Sequence, residues 1–132
     1  MYLDYAGIRV RDLDRSLSFY TRALGLKERR RGTMDHGGIW VLLEDRTSHQ
    51  KLELNWYPPG SKYASRFTVG EGLDHLGFRL PNLRAAVRRL QAMGAKLVDS
   101  LEEDGVLEVA FLEDPDGLWV ELIRTPAPRR RR

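Results

Sequence analysis

Cysteine is absent from all 132 residues, which rules out disulfides, thiolate metal sites and a cysteine nucleophile. Any metal chemistry must therefore come from histidine and carboxylates. Long apolar runs are missing too: none approaches the roughly 20 residues of a bilayer-spanning helix. The N-terminus Met1-Tyr2-Leu3-Asp4 lacks a basic segment leading into an apolar core. A soluble, cytoplasmic protein without a membrane partner is the expectation. A strong excess of one charge is lacking as well. The formal net charge is +3, but four of the 22 basic residues form the terminal run Arg129 to Arg132. Without them 18 cations meet 19 carboxylates, so the body of the chain is close to neutral and no nucleic-acid partner is expected. The run after Pro126 reads as a disordered, solvated tail over 127–132. No phosphate-cradling glycine loop and no serine-centred triad is visible.

What is present is one pattern written twice. A chain of this length suits a single domain, here residues 1–126, that buries roughly two-thirds of its unfolded surface. Residues 3–10 alternate as a half-buried strand, with Leu3, Tyr5, Gly7 and Arg9 pointing one way and Ile8 and Val10 the other. Asp12 is suited to cap a helix whose apolar face is Leu13, Leu17, Tyr20 and Leu24, with Gly25 closing it. Strands are expected over 26–32, 39–43 and 50–56, with Leu52, Leu54 and Trp56 on one face and Glu53 on the other. A turn-rich connector, 58–72, follows.

The second half repeats this order: a strand from Asp74 to Leu80, then a helix capped by Asn82 with Leu83, Val87, Leu90 and Met93 on its apolar face, closed by Gly94. Strands over 96–100, 106–112 and 118–123 complete it. Tyr5 and His75 lie 70 positions apart, Gly25 and Gly94 lie 69 apart, and Glu53 and Glu121 lie 68 apart. A drift of this size is what short loop deletions leave in a duplicated unit. The fold class is α+β: two tandem βαβββ modules, about 1–57 and 73–125, forming a curved mixed sheet around a central pocket.

Two equivalent modules usually pack about a twofold relation, which brings matching inward positions together. Those positions are Tyr5 and His75 on the first strands and Glu53 and Glu121 on the last. One histidine and two carboxylates on rigid strands then offer nitrogen and oxygen donors to a borderline or hard divalent ion. Simpler readings stand beside this one. His75 alone suits a hydrogen-bonded core, and Glu53 and Glu121 suit solvent-facing strand positions. Arg9 suits a surface strand, and Tyr5 an amphipathic core residue with a wet hydroxyl. His36 reads as an exposed turn residue and His49 as a loop residue. Trp40, Trp56 and Trp119 read as strand residues of the core, with Trp56 beside Tyr57 able to line one wall of a pocket.

The segments IRVRDLDRSLSFYTRALGL at 8–26, KLELNW at 51–56, LDHLGF at 73–78 and FLEDPDGLWVEL at 111–122 resemble the vicinal oxygen chelate superfamily, and within it glyoxalase I (lactoylglutathione lyase) and its relatives. The resemblance covers nearly the whole chain except the arginine tail. It implies metal ligands at the positions of Tyr5, Glu53, His75 and Glu121. Tyr5 departs from the family, which has histidine there; a phenol of pKa about 10 is a poor ligand unless the metal removes its proton. Tyr5 then ligates as phenolate, hydrogen-bonds a water on the metal, or marks a site without metal, the second being the reading adopted.

The implied activity is that of a metal-dependent lyase or isomerase, using nickel, zinc, manganese or cobalt, on a small oxygenated substrate such as a thiol hemithioacetal. Glu121 is the candidate base and Glu53 the second catalytic carboxylate, with Arg9 gripping a substrate carboxylate and Tyr5 and Trp56 lining the substrate. A ring-cleaving dioxygenase using iron and a metal-free, bleomycin-resistance-like drug-binding protein are the alternatives. A homodimer is expected by analogy.

Overall fold

The computed structural model describes residues 4–61, 64, 66, 68, 73 and 75–126. Leu3, Asp74, residues 62, 63, 65, 67 and 69–72 of the connector, and the tail at 127–132 lie outside the described residues. The chain forms two compact units, Met1–Phe67 and Thr68–Arg132. Among the described residues no helix is long and apolar enough to cross a membrane.

In the first unit the elements are β1 (Ala6–Arg9), α1 (Leu13–Ser18), a π-helical turn (Phe19–Ala23), β2 (Lys27–Thr33), β3 (Ile39–Glu44) and β4 (Lys51–Trp56). The strands hydrogen-bond in the order β1-β4-β3-β2, with β1 parallel to β4 and the other pairs antiparallel. The alternation read from the sequence holds from Gly7 to Val10, where Ile8 and Val10 are buried while Gly7 and Arg9 are exposed; before them Tyr5 and Ala6 are both exposed. Val41, Leu43 and Leu54 are fully buried.

The first helix departs from its expected form. Asp12 caps it by accepting a hydrogen bond from the Arg15 N–H at 3.1 Å, but its second half widens into the π turn. The Leu24 N–H reaches back to the Phe19 carbonyl, five residues away, at 3.1 Å. The Thr21 hydroxyl donates to the Leu17 carbonyl, which competes for an acceptor of the helix ladder. The extra residue in that turn rotates the apolar face. Ser16, Phe19, Tyr20 and Ala23 are buried, whereas Leu13, Leu17 and Leu24 are only half-buried.

The second unit repeats the order with β5 (His75–Leu80), α2 (Leu83–Ala92), β6 (Lys96–Glu103), β7 (Val106–Glu113) and β8 (Trp119–Arg124). Its sheet runs β5-β8-β7-β6, again with the first and last strands parallel. Asn82 caps α2 by accepting from the Ala85 N–H at 3.2 Å. Leu83, Ala86, Val87 and Leu90 form the buried face. Met93 does not join it: as the helix C-cap it is 45% exposed, because Gly94, at φ +94°, turns the chain away there. β6 is longer than expected, extending to Glu103, and is exposed along its whole length.

The two sheets share an irregularity that the pattern of these unburied strands does not show. In β2 the pairing with β3 shifts between Glu28 and Arg30, and in β6 the pairing with β7 shifts between Leu97 and Asp99. Each shift is a bulge one residue long, at Arg29 and at Val98, again 69 positions apart.

Candidate active site

In each unit the parallel pairing of first and last strands sets a carboxylate opposite a glycine. Gly7 pairs with Glu53, and Gly77 pairs with Glu121. Residues paired in register share a sheet face, so each glutamate points away from the core beside a position with no side chain. At Gly77 an added Cβ would meet Glu121 Oε2 only at 3.7 Å, so space remains beside that carboxylate.

In the second unit this face also carries the histidine. His75 is the first residue of β5 and, two residues before Gly77, has the same parity. Its Nε2 lies 3.2 Å from Glu121 Oε2, the side chains 35% and 20% exposed. Metal–ligand bonds of about 2.0–2.2 Å meeting at tetrahedral or octahedral angles separate two donor atoms by roughly 2.9–3.5 Å. The pair therefore fits two adjacent corners of a coordination sphere as well as it fits an ion pair. Phe111 backs it, edge-on to His75 at 5.6 Å between ring centroids, with Trp119 tilted against Phe111 at 5.8 Å.

Phe111 has no place in a reading by single residues. The signal for it is register, since it pairs directly with Glu121 across β7 and β8. Trp119 is 39% exposed on this same face rather than part of the core.

The first unit is arranged differently. Tyr5 precedes β1 and is 44% exposed. Among the described residues neither Tyr5 nor Glu53 makes a side-chain hydrogen bond. Trp56 has the parity of the buried Leu52 and Leu54, which puts it on the face opposite Glu53, half-buried. Among the described residues no group of three or more histidine, aspartate or glutamate side chains is gathered into a metal site.

Arg9, on the Glu53 face of β1, has its guanidinium over the Tyr57 ring at 5.2 Å from the centroid, a cation–π contact that restricts a long side chain. His36 stacks on the same ring at 5.6 Å between centroids. It is half-buried rather than an exposed turn residue, because the turn from Met34 to Gly38 folds it back. The Gly38 N–H donates to His36 Nδ1 at 3.3 Å. A Cβ at Gly38 would stand 2.7 Å from His36 Cε1, so the fold-back needs glycine.

Residues 2–122 match the Glyoxalase/Bleomycin resistance protein/Dioxygenase superfamily. A lactoylglutathione lyase of Pseudomonas aeruginosa is 32% identical over 139 aligned positions, 89% of this chain and 78% of the relative. A probable lactoylglutathione lyase of Synechocystis is 28% identical over 98% of this chain and 99% of its own length. Among solved structures, the trypanothione-dependent glyoxalase I of Leishmania major is similar at a TM-score of 0.76 and 27% identity, over 94% of this chain and 87% of that one. With two βαβββ units in tandem and a match that spans all but the ends of the sequence, the chain belongs to the Glyoxalase/Bleomycin resistance protein/Dioxygenase superfamily.

Proposed function

We propose that this protein is a glyoxalase I-type lyase or isomerase that uses a divalent ion and acts on a small oxygenated substrate, with a thiol hemithioacetal as the candidate. The observation that carries the reading is the 3.2 Å approach of His75 Nε2 to Glu121 Oε2 on an open sheet face. Similarity to proteins named lactoylglutathione lyase supports it.

Glu53, His75 and Glu121 are the proposed ligands, with Glu53 joining the pair from the first unit of the same chain or of a partner in a homodimer. Nickel, zinc, manganese and cobalt suit this donor set. Such an ion supplies Lewis-acid stabilisation of charge on two adjacent substrate oxygens. The residues do the rest. Glu121, beside the empty space at Gly77, takes a proton from one carbon and returns it to the neighbouring one. Glu53 offers the same service from the opposite side. Arg9, held against Tyr57, grips a carboxylate of the thiol through its guanidinium fork. Tyr5 would line the substrate and donate a hydrogen bond to a water held on the ion.

The test is metal content and turnover together. Protein equilibrated with each ion should hold about one per site and isomerise a hemithioacetal, and His75→Ala should lose both. Preparations that stay metal-free would replace this reading with a drug-binding protein, which the phenol at Tyr5 permits. Cleavage of a catechol with iron, but no turnover of the hemithioacetal, would replace it with a dioxygenase.

A further inference from the structure

At the corner where β2, β3 and the β3–β4 turn meet, Lys27, Arg29, Glu44, Arg46 and His49 line a hollow of about 220 Å³. Three permanent cations face one carboxylate there, and the carboxylate is already engaged. Glu44 Oε1 lies 2.9 Å from His49 Nδ1, and Oε2 lies 3.3 Å from Arg29 Nε. The His49 contact, ahead of the Arg29 charge, holds the Glu44 carboxyl below its ordinary range, so it stays ionised and keeps both partners in place. Among the described residues the side chains of Lys27 and Arg46 have neither ion pair nor hydrogen bond.

The second unit is an internal control. Its register puts Lys96 opposite Glu113, as Lys27 stands opposite Glu44. The bulge that carries Arg29 carries Val98 there, and Arg46 corresponds to Pro115. The left-handed residue before the last strand is Gly117, at φ +86°, in the second unit; in the first it is His49, at φ +60°. The backbone of this corner therefore needs neither the arginines nor the histidine, and the glycine-type position is occupied by an imidazole at a conformational cost.

The turn is also held before any ligand arrives. Asp45 accepts from the Thr47 N–H at 2.9 Å and from the Ser48 N–H at 2.7 Å. The His49 N–H donates to the Asp45 carbonyl at 3.0 Å.

We propose that this hollow is a binding site for the phosphate group of a small molecule. Two guanidinium groups and an ammonium around a concavity of this size match the charge and the oxygens of a phosphate dianion, and Arg forks bind such oxygens in pairs. A pinned turn reduces the ordering cost of binding.

The test is an amide and side-chain NMR titration with inorganic phosphate at constant ionic strength, with chloride as the matched control, because screening alone shifts surface charges. Saturable shifts confined to residues 27–29 and 44–50 are expected. Arg29→Gln with Arg46→Gln should weaken binding at least tenfold while hemithioacetal turnover without phosphate stays unchanged. Lys27→Gln alone should weaken it several-fold, and Lys96→Gln, at the matching corner, should not. Shifts that never saturate, that chloride reproduces, or that survive the double substitution would overturn the proposal.

Discussion

The two units have the same strand order, the same parallel closing pair and a bulge at the same place, yet they differ at the first residue of the site and at one corner of the sheet. His75 starts β5 and meets Glu121, while Tyr5 stands outside β1 without a hydrogen bond to Glu53 among the described residues. Arg29, Arg46 and His49 surround a hollow where the second unit has Val98, Pro115 and Gly117. The units share the strand pairing and the carboxylate opposite each glycine, Glu53 at Gly7 and Glu121 at Gly77. What they do not share, His75 against Tyr5 and the Arg29–Arg46–His49 corner against Val98, Pro115 and Gly117, is where the two units can be told apart by experiment.

The largest effect should come from removing the asymmetric donor. His75→Ala is expected to abolish divalent-ion binding and turnover, whereas Tyr5→Ala should reduce turnover and leave ion binding detectable by calorimetry. Next come the matched core residues. Leu54 and Leu122, 68 positions apart, are 0% and 1% exposed. Truncating either to alanine should cost about 2–5 kcal/mol in denaturant unfolding, by lost burial and the cavity left behind. Unequal costs would show that the units are not energetic twins. Making the halves alike should act in the opposite direction: Tyr5→His completes the symmetric donor set and should tighten ion binding about tenfold, roughly 1.4 kcal/mol.

Smaller differences separate the two loop-capping aspartates. Asp114, 6% exposed, accepts from the Asp116 and Leu118 N–H groups at 2.9 and 2.8 Å. Asp45 does the same work in a more open turn. Alanine at 45 should cost about 1 kcal/mol and alanine at 114 more, because burial leaves the abandoned donors unsatisfied. The Ser48 N–H, with that of Thr47, holds the Asp45 carboxyl below its ordinary range. Its stabilisation is therefore full above the unfolded pKa of about 3.9 and is lost as pH falls through the lower folded value. Asp45→Asn should flatten that acid limb in thermal melts across this range. The smallest effect belongs to the exposed Glu28–Arg31 pair, whose second contact is 3.0 Å. Glu28→Gln should cost at most about 0.5 kcal/mol and vanish in high salt.

The order of elements and the facing of β4 could be read from the sequence, because alternation in Leu52-Glu53-Leu54 and the caps Asp12 and Asn82 are local signals; the outward face of Trp119 could not. The repeat then located the equivalent positions. The bulges at Arg29 and Val98 were not legible, since β2 and β6 have no buried residues whose alternation an extra residue would interrupt. Nor was the π turn, which depends on how Thr21 and the Leu17 carbonyl share a hydrogen bond. Phe111 and the Arg9–Tyr57–His36 stack were missed for a related reason. They are contacts between elements, and register or a fold-back turn makes them neighbours.

The side-by-side closing strands leave little tolerance for length changes in the turn after Asp114. Losing one residue there would advance β8 by a single step against β5, turning Glu121 inward against α2 and presenting Val120 or Leu122 to the imidazole. Indels at this turn would thus exchange the carboxylate beside His75 for hydrocarbon in one mutational event, and bury an acid in the same stroke.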